Sequence, residues 1–361
     1  MPHNPRWEDY QRVNIANSRA LHKGNLGELP RPFPDLDDNF SAIRDTFPQT
    51  DRERAFHRVA DAAELIDLKL PVATEEQGQA IIDEAHRLLD EAIELDEHCY
   101  DAMRMNTFAE FSIYDDTLTF LEELAPEVKA WCKKQAQAAE REVTPELAPL
   151  AREIEMGPYL RWVTTQSTLS LVCGRNKQCL HYAQVAFDED PLDVSDVRFS
   201  AALAYAKLED EAGLESLAKR QRTSPFMRPA DDPWMVIARM CIAFKQYDMQ
   251  TARVILSQLI SRYDQSIEIL YRQTEFPDGV FARLHVGPYT PDELALAVSE
   301  ATVLFQESMD FDDVGVISSW IRNEIAQKVS ARELMRLNAL TFPDYFDEGE
   351  IIDFGRGGGM S

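Results

Sequence analysis

The stretch Gly157 to Gly213 constrains the fold more than any other, because it reads as one helical hairpin handing over to the next. GPYLRWVTTQSTLSLV is an apolar helical pattern closed near Gly174, NKQCLHYAQVAF is a second one, Pro191 stops it, and VRFSAALAYAKL opens a fresh helix. Counting from Leu160 as position 1, Gly174 falls at the turn, Cys179, Ala183 and Ala186 lie on the second helix, and Pro191 stands at position 32. Small residues at such positions let two helices approach, and proline, with no N–H to donate, ends the pair. A chain organised this way buries each helix against its neighbours in sequence. The expected fold is all-α, a right-handed superhelical stack of antiparallel helix pairs (an α-solenoid), and no segment reads as a strand.

Charge narrows the partners. The 361 residues carry 63 acidic against 37 basic side chains, a formal net charge of −26, which argues against nucleic acid or an anionic membrane surface, since phosphates are met by Lys and Arg. The five cysteines, Cys99, Cys132, Cys173, Cys179 and Cys241, lie mostly inside apolar helical patterns and read as reduced core thiols. The opening MPHNPRWEDYQRVN lacks a basic-then-apolar signal region, and no later run approaches the ~18 apolar residues that span a bilayer. A cytoplasmic protein is expected.

Three regions follow. Residues 1–50 read as an N-terminal extension, with one short helix around Trp7, Tyr10 and Val13 and then a linker stiffened by Pro30, Pro32 and Pro34. Residues 51–340 carry the helical repeats. Phe56, Val59, Ala63 and Ile66 form one buried stripe; Thr74 with Gln77 is a capping box, as are Thr290 with Glu293 and Ser330 with Glu333. A hairpin over Ala102 to Leu124 breaks at Ser112 to Asp116, and Pro126 is placed at the first position of a helix carrying Val128, Trp131 and Cys132. Pro233 opens a helix with Trp234, Ile237, Ala238 and Cys241 on one stripe; Thr251 to Ile260 is its partner across the turn KQYD, and a later helix is expected over Asp312 to Val329. Residues 341–361, acidic and then Gly-rich, read as a frayed tail.

On these residues the chain resembles a group of bacterial tetratricopeptide-repeat proteins of unassigned activity, distantly similar to eukaryotic suppressor-of-tumorigenicity repeat proteins. The resemblance runs from about Asp61 to Trp320 and is carried by AIELDEHCYDA, GPYLRWVTTQSTLSLVCGRNKQCLHYAQ, VRFSAALAYAKLEDEAGLESLAKR and PYTPDELALAVSEATVLF. Pro158, Tyr159, Leu160, Arg161, Gly174 and Arg175 reproduce the Pro-Tyr-hydrophobic-Arg run and the Gly-Arg turn of that group. Its Asn- and Gln-rich link is replaced here by DEDPLDVSDVR, which keeps Pro191, Asp193 and Arg198. The resemblance implies a scaffold that binds other proteins, and it brings no catalytic residues.

A search for chemistry finds little. Five residues separate Cys173 from Cys179, no second Cys pair follows, and Cys179 takes the place of a small packed residue, so a zinc site with His181 is not expected. His98 beside Cys99 reads as a helix-end histidine. There is no nucleophile elbow and no phosphate loop, and the cluster Gly355 to Gly359 ends the chain. No catalytic residues, metal or cofactor are therefore assigned. A hydrolase or transferase on a helical frame, or a peptide-sensing regulator, stands as the alternative.

Repeat geometry places the first helix of each pair on the concave side, which selects Arg104, Phe108 and Phe111, then Arg161, Thr164 and Thr168, then Arg198, Ala202 and Tyr205. The recurring arginines admit two readings. They grip a guest peptide, by paired hydrogen bonds to a carboxylate beside apolar pockets of Phe or Tyr, or they bridge neighbouring acidic helices. The acidic stretch Asp344 to Asp353 is a candidate to fold back onto such a basic trough. Another protein or a peptide is the expected partner, and a homo-oligomer is compatible with the sequence.

Overall fold

The computed structural model describes residues 3–22, 40–222, 231–276, 279–308 and 314–341, and among them every regular element is a helix. The Pro30 to Pro34 linker, residues Asp312 and Asp313, and the acidic and Gly-rich tail lie outside the described residues. No described helix is long and apolar enough to cross a membrane. The chain divides into two compact units, Met1–Val197 with Asp278–His285, and Arg198–Pro277 with Val286–Ser361.

The first unit contains α1 (Pro5–His22), α2 (Phe40–Ile43), α3 (Asp51–Glu64), α4 (Glu75–Leu95), α5 (Tyr100–Glu110), α6 (Tyr114–Glu142), α7 (Ala148–Val172) and α8 (Asn176–Glu189). Sequence neighbours pack together: α3 on α4, α6 on α7, α7 on α8. The segment read as an extension is integrated, since α1 packs on α3 and α7 and buries Val13 and Ile15. Helix starts follow the capping logic. Gln77 and Thr74 exchange side-chain and backbone bonds ahead of α4, and the Glu53 carboxylate accepts from the Thr50 N–H ahead of α3. Pro126 does not start a helix. It lies inside α6, where it removes the bond to the Glu122 carbonyl, and one residue earlier the Leu121 carbonyl accepts from the Trp162 indole at 2.8 Å. Packing against α7 holds α6 continuous across the proline.

The α7–α8 hairpin follows the spacing closely. Gly174 takes the left-handed conformation at φ 72°, which closes the turn without a side-chain penalty. Ser167 donates to the Cys179 carbonyl at 3.1 Å with the Cys179 sulfur at 3.3 Å, and both residues are fully buried, so the small side chains set the helix separation. Beyond α8, the Asp190 carboxylate caps the N–H groups of Leu192 and Val194 in the Pro191 loop.

The second unit contains α9 (Arg198–Lys207), α10 (Glu211–Arg222), α11 (Pro233–Lys245), α12 (Met249–Arg262), α13 (Ser266–Arg272), α14 (Pro291–Glu300), α15 (Thr302–Phe305), α16 (Val316–Ala326) and α17 (Ala331–Thr341). Asp232 caps α11 by accepting from the Met235 N–H at 3.0 Å, and Trp234, Ile237, Ala238 and Cys241 form its buried stripe against α9 and α12. Thr290 and Ser330 cap as expected, although the Glu293 carboxylate turns to the Tyr289 N–H and Glu333 to Arg336.

Replacing Ser167 by leucine inserts bulk where α7 and α8 touch. Ser167→Leu is expected to cost about 1–3 kcal/mol, seen as a lower urea midpoint at an unchanged slope; an unchanged midpoint would show that the contact is not tight.

Candidate functional site

Two of the predicted arginines meet in one place. Arg161, on α7, grips Asp101 of α5 with two prongs, Nε to Oδ1 at 2.7 Å and Nη2 to Oδ2 at 2.6 Å. Its Nη1 also donates to Glu8 of α1 at 2.8 Å, and Arg12, one turn along α1, donates to the same carboxylate at 2.7 Å. Gly157, one turn earlier, lies against this side chain: a Cβ there would come within 3.1 Å of the guanidinium. Glycine costs about 1 kcal/mol in a helix interior relative to alanine, and here it leaves room for the charge.

The second arginine holds backbone. Arg104, one turn after Asp101, donates to the carbonyls of Val280 at 3.1 Å and Phe281 at 2.5 Å. Those carbonyls belong to Gly279 to His285, a non-helical segment that joins the first unit. On its other side, the Asp67 carboxylate accepts from the Val280 N–H at 2.8 Å. Asp67 is aimed there by a π-helical turn, Leu65–Lys69, in which α3 ends instead of running on through Ile66; such turns often reposition functional side chains. A carboxylate and a guanidinium thus clamp the main chain of a segment that bends at Val280 to Ala282. Its anchor is Phe281, only 1% exposed, packed edge-on to Phe56 at 5.9 Å and covered by the Arg161 guanidinium at 4.2 Å. Arg12 covers the Phe56 ring at 4.1 Å, so the pair of rings lies between two guanidinium groups.

Burial sets the electrostatics. It pushes the Asp101 carboxyl up, but Arg161 first, then Arg104 and Arg12, more than offset it and hold Asp101 below the usual carboxylate range. Glu155 is held low against its burial by Arg52, Arg12 and Arg19, and Asp9 likewise by His57 and Arg44. Burial pulls Arg104 down to about 10, with Asp101 opposing, so it stays cationic at neutral pH. Asp67 behaves oppositely: burial raises it, and the bonds from the Val280 and Phe281 N–H groups only partly counter that. Cys99, Cys132, Cys179 and Cys241 are all pushed up to about 12 by burial, which leaves them protonated rather than nucleophilic. Among the described residues no group of three or more His, Cys, Asp or Glu is placed to hold a metal.

The other selected residues are dispersed. Thr164 and Thr168 are half-buried on α7, Phe111 is half-buried with its ring 5.8 Å from Phe120, and Phe108 is exposed at the end of α5. Arg198 and Tyr205 belong to the second unit. There Arg198 is buried over the Phe199 ring at 4.3 Å with Asp232 at 3.9 Å, and Tyr205 covers Gly213. Arg161 therefore bridges acidic residues of two other helices, while Arg104 bonds chiefly to backbone carbonyls, and both side chains are buried. Asp67, Asp101, Glu8 and Phe281 were not selected by repeat position. A signal for the last was present in the sequence: DGVFARLHVG is a phenylalanine between glycines with no helical period. Compared with family models, with curated proteins and with solved structures, the chain matches none.

Removing Arg161 leaves the buried Asp101 with only the 3.5 Å contact to Arg104, so Arg161→Ala is expected to lose about 3–5 kcal/mol, whereas Asp67→Asn, which keeps an acceptor for Val280 and sheds a buried charge, should hold or raise the melting temperature at pH 7. Equal losses in calorimetry would refute this contrast. Because Asp101, Asp9 and Glu155 titrate lower folded than unfolded, the unfolded chain binds more protons in acid. Their stabilisation is complete above about pH 4–5 and drains away as pH falls through the depressed values. Asp67 runs the other way, its contribution being largest in acid and lost as pH rises through its elevated value. An Asp101→Asn variant should show a shallower acid limb in pH-dependent urea melts than the wild-type chain; parallel limbs would count against the assignment.

Proposed function

We propose that the chain is a tetratricopeptide-like scaffold, a right-handed superhelical stack of helix pairs working in the cytoplasm, that binds a partner protein through a non-helical segment. The observation that carries this reading is the main-chain clamp of Asp67 and Arg104 around Val280 and Phe281. Backbone-directed hydrogen bonds supply affinity through groups that nearly every residue carries, and a sealed aromatic anchor supplies selectivity. The small-residue packing of α7 on α8, the Gly174 turn and the Pro191 stop support the repeat architecture. Net charge fits a protein guest better than a phosphate backbone. The positions Arg104 and Arg161 thus keep a part in guest binding, Arg104 as a backbone donor and Arg161 as the lid of the aromatic seat, while Phe108, Phe111, Thr164, Thr168, Arg198 and Tyr205 are candidates for more distant contacts.

A random peptide library displayed on phage and selected against the full-length Phe281→Ala chain tests this. Enriched peptides that lose binding when Arg104→Ala is added, with helical circular dichroism retained, are the expected result. Failure to enrich any peptide, with that variant folded, would overturn the reading.

A further inference from the structure

The resident segment also specifies what a guest must look like. Resting on the reading above, we infer that the seat takes an internal stretch of a partner protein in which a phenylalanine follows a glycine by two residues and precedes a small one, and that Gly279 to His285 is its built-in competitor. Four observations define this chemistry. First, the oxygens held by Arg104 are peptide carbonyls, while Arg161 is already neutralised by Asp101 and Glu8. A chain-terminal carboxylate would bring a further anion beside Asp67, Asp101 and Glu8, so the guest is a mid-chain segment. Second, the ring of Phe281 lies between the Phe56 edge and the Arg161 guanidinium, an arrangement that uses the aromatic quadrupole and that an aliphatic side chain lacks.

Third, a Cβ on Gly279 would lie 2.2 Å from the Ala282 carbonyl oxygen, a backbone collision no rotamer relieves. The tight return of the chain around the phenylalanine therefore needs glycine at that place. Ala282 itself packs, partly buried, against the same apolar cluster as Phe281, which limits the following residue to a small one. Fourth, the Val280 N–H is consumed by Asp67, so the residue before the phenylalanine cannot be proline.

The resident segment is covalently tethered, and a tether gives a local concentration in the millimolar range. An outside guest with the same contacts competes poorly until that segment is displaced.

The test is a fluorescence-anisotropy titration of the acetylated and amidated peptide Gly-Val-Phe-Ala-Arg-Leu-His into full-length chains. The Phe281→Ala chain is expected to bind at least about tenfold more tightly than wild type. Replacing the peptide's Phe by Ala should weaken binding about thirtyfold, and replacing its Val by Pro about tenfold. A peptide ending at the Phe with a free carboxylate should bind more weakly than the blocked one. Should Phe281→Ala prove unfolded, Gly279→Val expels the segment by backbone collision while leaving the seat intact, and it takes the same titration. Indifference to the peptide's Phe, or preference for the free carboxylate, would overturn this inference; so would a wild-type dimer, found by sedimentation and abolished by Gly279→Val, because the occupant would then be a second copy. If the library yields Arg104-dependent ligands of unrelated sequence, the scaffold reading stands and the motif falls; if it yields none, both fall.

Discussion

The structure of the first unit depends on the two-pronged bond between Arg161 and Asp101. Both groups are almost wholly removed from water, and an ion in that state is tolerable only if its partner is placed within hydrogen-bond reach. That requirement ties α7 to α5, and the remaining Arg161 donors tie both to Glu8 on α1. Three helices distant in sequence are thereby fixed at one angle, which apolar packing alone, being indifferent to direction, would leave less determined. The stack of Arg12, Phe56, Phe281 and Arg161 carries the same order into the apolar core.

Much of the architecture could be read from local pattern, because helix starts, stops and close approaches are set by residues within a few positions of each other. Thr74 with Gln77, Pro233 at a helix start, and Gly174 at a turn with Cys179 on the helix beyond it all announce themselves in local spacing. Pro126 misled, since its local preference for a first turn was overridden by the packing of α6 on α7. The site was legible only in part. Repeat position found Arg104 and Arg161 because their helix faces point inward, but it could not say what they meet. Asp101 and Glu8 are 93 residues apart in sequence, and Phe281 is further still; no local period connects them. The π turn that aims Asp67 is equally invisible, since Phe56 to Ile66 keeps an unbroken apolar stripe through it.

The two arginines illustrate how little a residue type says about the job it does. Arg161 is a structural cation whose outer face serves as the roof of an aromatic seat. Arg104 is paired only loosely, at 3.5 Å from Asp101, and turns its donors to the carbonyls of Val280 and Phe281. The difference comes from geometry: Arg161 meets both acids from α7, while Arg104, a turn beyond Asp101 on the same helix, reaches past it.

The interrupted make-up of the first unit also has a consequence for biosynthesis. Its helices are complete when the ribosome has passed Val197, yet the phenylalanine that plugs them is encoded some eighty codons later. At common elongation rates this leaves the place of Phe281 between Phe56 and Arg161 unfilled on the nascent chain for about 4–17 s.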